Sequence, residues 1–252
     1  MFRIPIISRL LRYSGEVEFL EADATTDNFN LEVYKWMMDW LNMDLTEKRI
    51  LDAGCWNAPF EHYLKKNNID ASWVGLDLNQ TALKSITIRS PKAPVVIGDL
   101  TKELPFAHDS FDVIVYLQAY EHLPKGKDRD SLKHLAKLLK PNGTLILSTQ
   151  LNSPLTVLDP AWVLGHRHYW PGDLRKSAEL AGLHVVNEAA SGGFWQYMDV
   201  MGLYFAKHVF RRKYSTPNWM KNLCVKEFTP HSKLTSTMYW LRCQKKATVD
   251  AK

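Results

Sequence analysis

The sequence predicts an α/β fold built on a largely parallel sheet, and three observations carry that prediction. From residue 49 to 186 short β-branched runs alternate with helical patterns, the signature of successive βαβ units. The run DVIVYL at 112–117 hardly alternates between apolar and polar residues, as expected of a strand covered by helices on both faces. The first run also ends in LDAGCWNAPFEHYL, a strand passing through a tight turn into a helix.

The expected strands are 49–52 (RILD), 73–77 (WVGLD), 94–97 (PVVI), 112–117, 144–149 (TLILST) and 183–188 (LHVVNE), with a last one at 236–243 (STMYWLRC). Helices fit between them at 59–67, 79–87, 128–140 and 171–181. The helix at 128–140 puts Leu132, Leu135, Ala136 and Leu139 on one stripe and stops at Pro141-Asn142-Gly143. Ahead of the sheet, 31–43 reads as an amphipathic, core-packing helix through Leu31, Tyr34, Met37, Met38 and Leu41. Three units are expected: an N-terminal helical cap at 1–45, a core at 46–190 and 236–247, and an insert at 191–235. The insert is rich in aromatic and basic residues and too long for a plain connection, so it should hold helices and a role of its own.

Composition narrows the function. With 46% hydrophobic and 23% charged residues the chain is globular, neither disordered nor fibrous. Three scattered cysteines, with no CxxC pair, argue against a disulfide framework or a zinc site and for a reducing, cytoplasmic setting. The net charge of +5 is uneven: residues 202–252 hold 11 Lys and Arg against Glu227 and Asp250. That local +9 suits an anionic partner, whether phosphate, nucleic acid or lipid headgroup. Neither the N-terminal segment nor the apolar stretch around 194–210, interrupted by Asp199 and Lys207, reads as a membrane span. Both mix cations with apolar residues, which suits a peripheral position on an anionic membrane.

The chemistry concentrates at strand ends. In an open α/β sheet the ligand crevice lies at the carboxyl edge, so Asp52, Gly54 and the following turn face what is bound. Asp77 ends the second strand, where an acid can accept hydrogen bonds from ribose hydroxyls. A dinucleotide site wants GxGxxG, but bulky Trp56 stands where the second glycine should be, and no GxxxxGK[ST] run exists.

These pieces resemble the class I S-adenosylmethionine-dependent methyltransferases of the small-molecule group that includes the ubiquinone-biosynthesis O-methyltransferases. ILDAGC, GLDLNQTAL, VVIGDLTKELPFAHDSFDVIVYLQAYEHL and LLKPNGTLILSTQ occur in the family's order across about residues 49–150, and GHRHYWPGDLRKSAELAGLHVV continues it. The resemblance implies a doubly wound, mostly parallel, seven-stranded Rossmann-like sheet with an antiparallel last strand, and S-adenosyl-L-methionine as cofactor. It places Gly54, Cys55 and Trp56 by the methionyl end, Asp52 behind the loop and the cofactor's amino group, Asp77 with Leu78 at the ribose, and Asp99 with Leu100 at adenine. Gln118 falls near the sulfur. His122 is the candidate base, since imidazole titrates near neutrality, with Glu121 holding it or binding a cation. His166 and His168 are second candidates.

The family commonly has GCGxG where this chain has Gly54-Cys55-Trp56-Asn57-Ala58. Asn57 tolerates left-handed backbone, and Ala58 is the smallest replacement for glycine. Trp56 roofs the cofactor or closes the pocket, so a cofactor-free binding module is the alternative to a methyltransferase acting on a small-molecule acceptor, at oxygen. Nucleic-acid methylation is disfavoured, because Gln118-Ala119-Tyr120-Glu121 replaces the Asn/Asp-Pro-Pro-aromatic signature of base methylation.

Overall fold

The computed structural model describes residues 28–157, 159, 166–212, 214–229 and 232–246. The expected cap at 1–45 therefore lies outside the described residues except for its last part, as does the N-terminal surface segment.

Seven strands form one sheet in the order β3-β2-β1-β4-β5-β7-β6. They are β1 (Arg49–Ala53), β2 (Ser72–Asp77), β3 (Val95–Ile97), β4 (Phe111–Leu117), β5 (Leu139–Gln150), β6 (Leu183–Ser191) and β7 (Met238–Lys245). The first five pair in parallel, and β7 runs antiparallel between β5 and β6. Strand order reverses between β1 and β4, the switch point that opens a crevice at the carboxyl edge.

Alternate residues of the central strands feed two cores, which is why β4 reads as continuously apolar. Ile114 and Tyr116 of β4 join Leu51 and Ala53 of β1 on one face. There they meet Leu132 and Leu135 of a helix at Asp128–Leu138 (α4) and Leu174 and Ala178 of one at Pro171–Leu180 (α5). Val113 and Val115 turn to the other face with Ile50. That face is covered by helices at Asn28–Leu41 (α1), Pro59–Lys66 (α2) and Gln80–Arg89 (α3) through Met37, Leu41, Phe60, Leu64, Leu83 and Ile86.

Several boundaries differ from the periodicity: α1 spans 28–41 where 31–43 is expected, β6 runs on to Ser191, and two further shifts have a physical reason. Helix α4 ends at Leu138, two residues early, because Leu139 already pairs with Phe111. Pro141 restricts Lys140 to extended backbone, so the breaker turns the chain into the sheet and is absorbed as an irregularity before Thr144 pairs with Val113. The last strand sits two residues later than expected, and Gln244 and Lys245 complete its pairing with Thr144 and Leu183.

The segment at 191–235 carries a helix at Phe194–Tyr204 (α6) that continues as a π turn at Phe205–Val209, then a helix at Asn218–Lys226 (α7). Helix α6 lacks a capping side chain of its own. Instead Glu227 accepts hydrogen bonds from the amides of Trp195 (2.9 Å) and Gln196 (3.1 Å), which satisfies two of the helix's orphan donors.

Trp240 fastens β7 to its neighbours. It is 1% exposed, donates from Nε1 to Ser191 Oγ at 2.8 Å, and its ring lies 5.0 Å from that of Trp36 on α1. Trp240→Ala leaves a cavity and an unpaired Ser191, and should cost about 3–5 kcal/mol in urea denaturation; a loss below about 1 kcal/mol would show that this contact does not hold β7.

Candidate functional site

The carboxyl ends of β1, β2 and β4 bring Asp52, Asp77 and Gln118 to one edge. The β1 turn is built on left-handed backbone at alternate residues: Gly54 (φ 76°), Trp56 (φ 49°) and Ala58 (φ 57°). These are the three glycine positions of the family loop, so the chain keeps the glycine-loop backbone with two side chains added. Asn57, expected to take the left-handed turn, does not. Such conformations cost roughly 1–2 kcal/mol at a residue with a Cβ, so neighbours must hold them. The Trp56 amide donates to Asp77 Oδ2 at 2.8 Å, the amides of Gly54 and Cys55 both donate to Leu76 O, and Arg89 Nη2 donates to Asn57 O at 2.7 Å. At Gly54 itself a Cβ would stand 2.6 Å from that of Ala119, so glycine is required where the β1 and β4 turns meet.

Asp52 is buried beneath this turn. Burial lifts its pKa to about 7, against the indole N–H of Trp73, which donates to Oδ2 at 3.2 Å. Trp73 reaches it by crossing Gly75, where any Cβ would collide with the ring. Sequence reading missed Trp73; a tryptophan and a glycine one residue apart on the same face of β2 were the available signal.

Asp77 accepts from the amides of Asn79 (2.8 Å, Oδ1) and Trp56 (Oδ2). A carboxylate has about four acceptor sites, so each oxygen keeps capacity for a ribose hydroxyl. Asp99 ends the turn after β3. Its Oδ1 accepts from both the hydroxyl (2.7 Å) and the amide (2.9 Å) of Thr101, which hold its carboxyl below the usual range. Leu100 is buried, Leu78 exposed.

Residues present here fit an S-adenosylmethionine molecule. A glycine-loop backbone leaves room for the methionyl end, acceptor-only carboxylates suit hydroxyls and an ammonium, and Trp56 is 37% exposed, so its ring is not buried as a plug in the core.

Beyond β4 the pieces separate. Gln118 (φ 50°) donates to Ser148 Oγ at 3.1 Å and accepts from Gln150 Nε2 at 2.7 Å, so its amide is held between β4 and β5. Glu121 is buried and accepts from Thr149 Oγ1 at 2.9 Å; burial raises its pKa to about 7. Through Thr149 it anchors the Tyr120–His122 turn to β5. His122 keeps part of its surface exposed, while its ring packs edge to face on His166 with centroids 4.4 Å apart. Burial of the ring in that contact, together with the neighbouring His166, lowers its pKa to about 4, so it is neutral at pH 7. Sequence reading also passed over Asp159, which is buried with an oxygen 3.4 Å from His168 Nε2.

Because Asp52 titrates at about 7 when folded and near 3.8 otherwise, the folded chain holds an extra proton between those values. Stability therefore falls as pH rises through that window. Asp52→Asn keeps an acceptor for Trp73 and removes the titration. Relative to the parent it should gain stability steadily from about pH 4 to 7, at about 1.4 kcal/mol for each pH unit, with no further gain above. Urea titrations at pH 4, 5.5, 7 and 8 test this; a constant difference would refute it.

Comparison with known proteins agrees with this geometry. Residues 51–147 match the methyltransferase domain family. The chain is 32% identical over 131 residues to a phthiotriol/phenolphthiotriol dimycocerosates methyltransferase of Mycobacterium leprae, covering 50% of this chain and 46% of that protein. It thus spans about half the length of the mycobacterial relatives it matches. It is 27% identical over 189 residues to a ubiquinone biosynthesis O-methyltransferase of Histophilus somni, covering 64% of this chain and 78% of that one. Among solved structures, an S-adenosylmethionine-dependent methyltransferase of Archaeoglobus fulgidus superposes with a TM-score of 0.58 at 16% identity, over 85% of this chain and 94% of that one. Another from Mesorhizobium loti gives 0.58 at 14%, over 84% and 98%. Residues 51–147 thus match the methyltransferase domain family, and the chain shares the fold of these S-adenosylmethionine-dependent methyltransferases.

Proposed function

We propose that the chain transfers the methyl group of S-adenosylmethionine to a hydroxyl oxygen of a small, largely apolar acceptor. The observation that carries this reading is the carboxylate set of Asp52 and Asp77 beneath a preserved glycine-loop backbone. An in-line displacement at a sulfonium needs mainly alignment of nucleophile and methyl, a proximity effect worth up to roughly 7–11 kcal/mol. Oxygen as the acceptor atom is supported by the O-methyltransferase relative, and an apolar acceptor by the surface of α6, which packs against the Pro154–Thr156 turn just past β5. We assign the 191–235 segment as a lid over the acceptor.

Asp77→Ala should weaken S-adenosylmethionine binding by about 1.5–3 kcal/mol in calorimetry; unchanged affinity removes Asp77 from the site. Trp56→Gly should bind about as well as the parent. A parent that fails to bind while Trp56→Gly binds would instead favour the cofactor-free module. Methyl transfer is then screened on catechol, 1,2-dodecanediol and glucose, and no transfer to any hydroxyl would sink the oxygen assignment.

The same surface supports a peripheral site of work on an anionic membrane. On α6 and its continuation, Phe194, Met198 and Phe205 recur at helical spacing and face solvent, with Val209, Phe210 and Trp219 exposed nearby. Residues 205–226 contain six Lys and Arg and no acid. Near an anionic leaflet each cation contributes about 1 kcal/mol, and apolar side chains insert beside them. No helix among the described residues is long and apolar enough to cross a membrane. The chain should co-sediment with phosphatidylglycerol vesicles at low salt, and less so with added salt or after Arg211→Glu plus Arg212→Glu. Absence of binding at low salt would leave a soluble acceptor.

A further inference from the structure

Between β5 and α5 lies a titratable cluster that cofactor binding does not use. Asp159 is 7% exposed, and its Oδ2 stands 3.4 Å from Nε2 of His168, whose side chain is fully buried. The charge of Asp159 also reaches His166 in the same segment, and Tyr197 and Tyr204 of α6. Burial, with Asp159 adding to it, pushes Tyr204 up to about 12. His166 is half-buried and meets His122 edge to face. The segment is pinned to the turn after β4 and to the end of β5: the Arg167 amide donates to Glu121 O at 3.3 Å, and the Tyr169 amide to Gln150 O at 3.0 Å. A line of groups thus runs from buried Asp159 through the loop histidines to His122 at the crevice mouth.

We propose that His166 is the general base that takes the proton from the acceptor hydroxyl, with Asp159 and His168 as positioning residues behind it. This rests on the oxygen-transfer reading. The cofactor supplies an electrophilic methyl carbon. As the acceptor's O–H bond breaks, its proton passes to the unprotonated imidazole nitrogen of neutral His166 and its oxygen forms the new bond to carbon. The carbon–sulfur bond breaks with its electron pair going to sulfur. The positive charge of the sulfonium therefore ends on His166 and leaves with the proton to solvent.

His122 suits this role less well. Burial lowers both imidazoles: at His122 burial and the neighbouring His166 outweigh Asp77 and bring the ring to about 4, whereas at His166 the charge of buried Asp159 opposes burial and the neighbouring His168. An anionic neighbour favours the protonated imidazole and raises basicity. It also stabilises the imidazolium that forms, while His122 covers one edge of the ring.

Two measurements test the assignment. The first needs no acceptor: carbon-13 NMR titration of histidine Cε1 in the full chain, with the His166 resonance identified by its loss in His166→Gln. Asp159→Asn should lower the His166 midpoint by about one pH unit and move His122 much less. A His166 midpoint indifferent to Asp159→Asn overturns the proposal.

The second uses catechol or 1,2-dodecanediol, whichever accepts methyl. His166→Gln should lower kcat about 100- to 10,000-fold, more than His122→Gln does, with S-adenosylmethionine affinity by calorimetry within twofold of the parent. Asp159→Asn should lower kcat about tenfold and shift the acid limb of its pH profile downward, which a purely structural role would not do. Full activity in His166→Gln overturns the proposal. Transfer to neither probe counts against the oxygen reading instead, and the titration alone then decides the cluster.

Discussion

The carboxyl edge of this sheet depends on one contact, the hydrogen bond from the Trp56 amide to Asp77. Trp56 and Ala58 both hold left-handed backbone that their side chains disfavour. A turn strained in this way persists only where its surroundings over-determine it. Asp77 supplies the charged partner, and the Leu76 carbonyl, taking both Gly54 and Cys55 amides, supplies the second clamp. The residue that would hold a ribose is therefore the one that keeps the methionyl loop in shape, so the two halves of the cofactor site are mechanically a single object. In a chain with glycines at these positions the loop would need no such brace. Here the brace removes some of Asp77's acceptor capacity and leaves the rest for ligand.

Charge organises the same edge. Asp52 and Glu121 are both buried carboxyls lifted to about 7 by desolvation, each steadied by a neutral donor, Trp73 or Thr149. Among the described residues neither is paired with a Lys or Arg. A cation arriving in the crevice would find partly ionised acids whose full ionisation it favours, so a sulfonium- and ammonium-bearing ligand would be drawn in and would itself draw protons off these groups.

Legibility in the sequence followed the range of the interactions. Strands β1 and β4, helices α2 and α5, and the strand-end positions of Asp52 and Asp77 were readable because periodicity and strand-end position are local properties. The location of left-handed backbone was not: Asn57 is the better residue for it by intrinsic preference, yet the turn assigns it to Trp56 and Ala58, since hydrogen bonds to residues 21 and 32 positions away set the geometry. Trp73 behind Asp52 and Glu121 tucked under β5 were hidden for the same reason, each depending on a partner across the sheet. Asp159 stands in no motif, and only the packing of its loop against α6 reveals a buried acid among two histidines and two tyrosines.

The placement of the 191–235 segment has a consequence for variation. Ser191 ends β6 directly opposite Met238, where β7 begins. Everything between leaves and returns at one rung of a hairpin, and a closed excursion of this kind grows cheaply, each doubling of its length costing only about 0.6 kcal/mol. The sheet's register is set by the rungs below it and is blind to what the excursion contains. A new acceptor preference, a longer surface for docking or a different helix pair can therefore be exchanged at that rung as a cassette, while the cofactor edge, on the far side of β5, keeps its geometry.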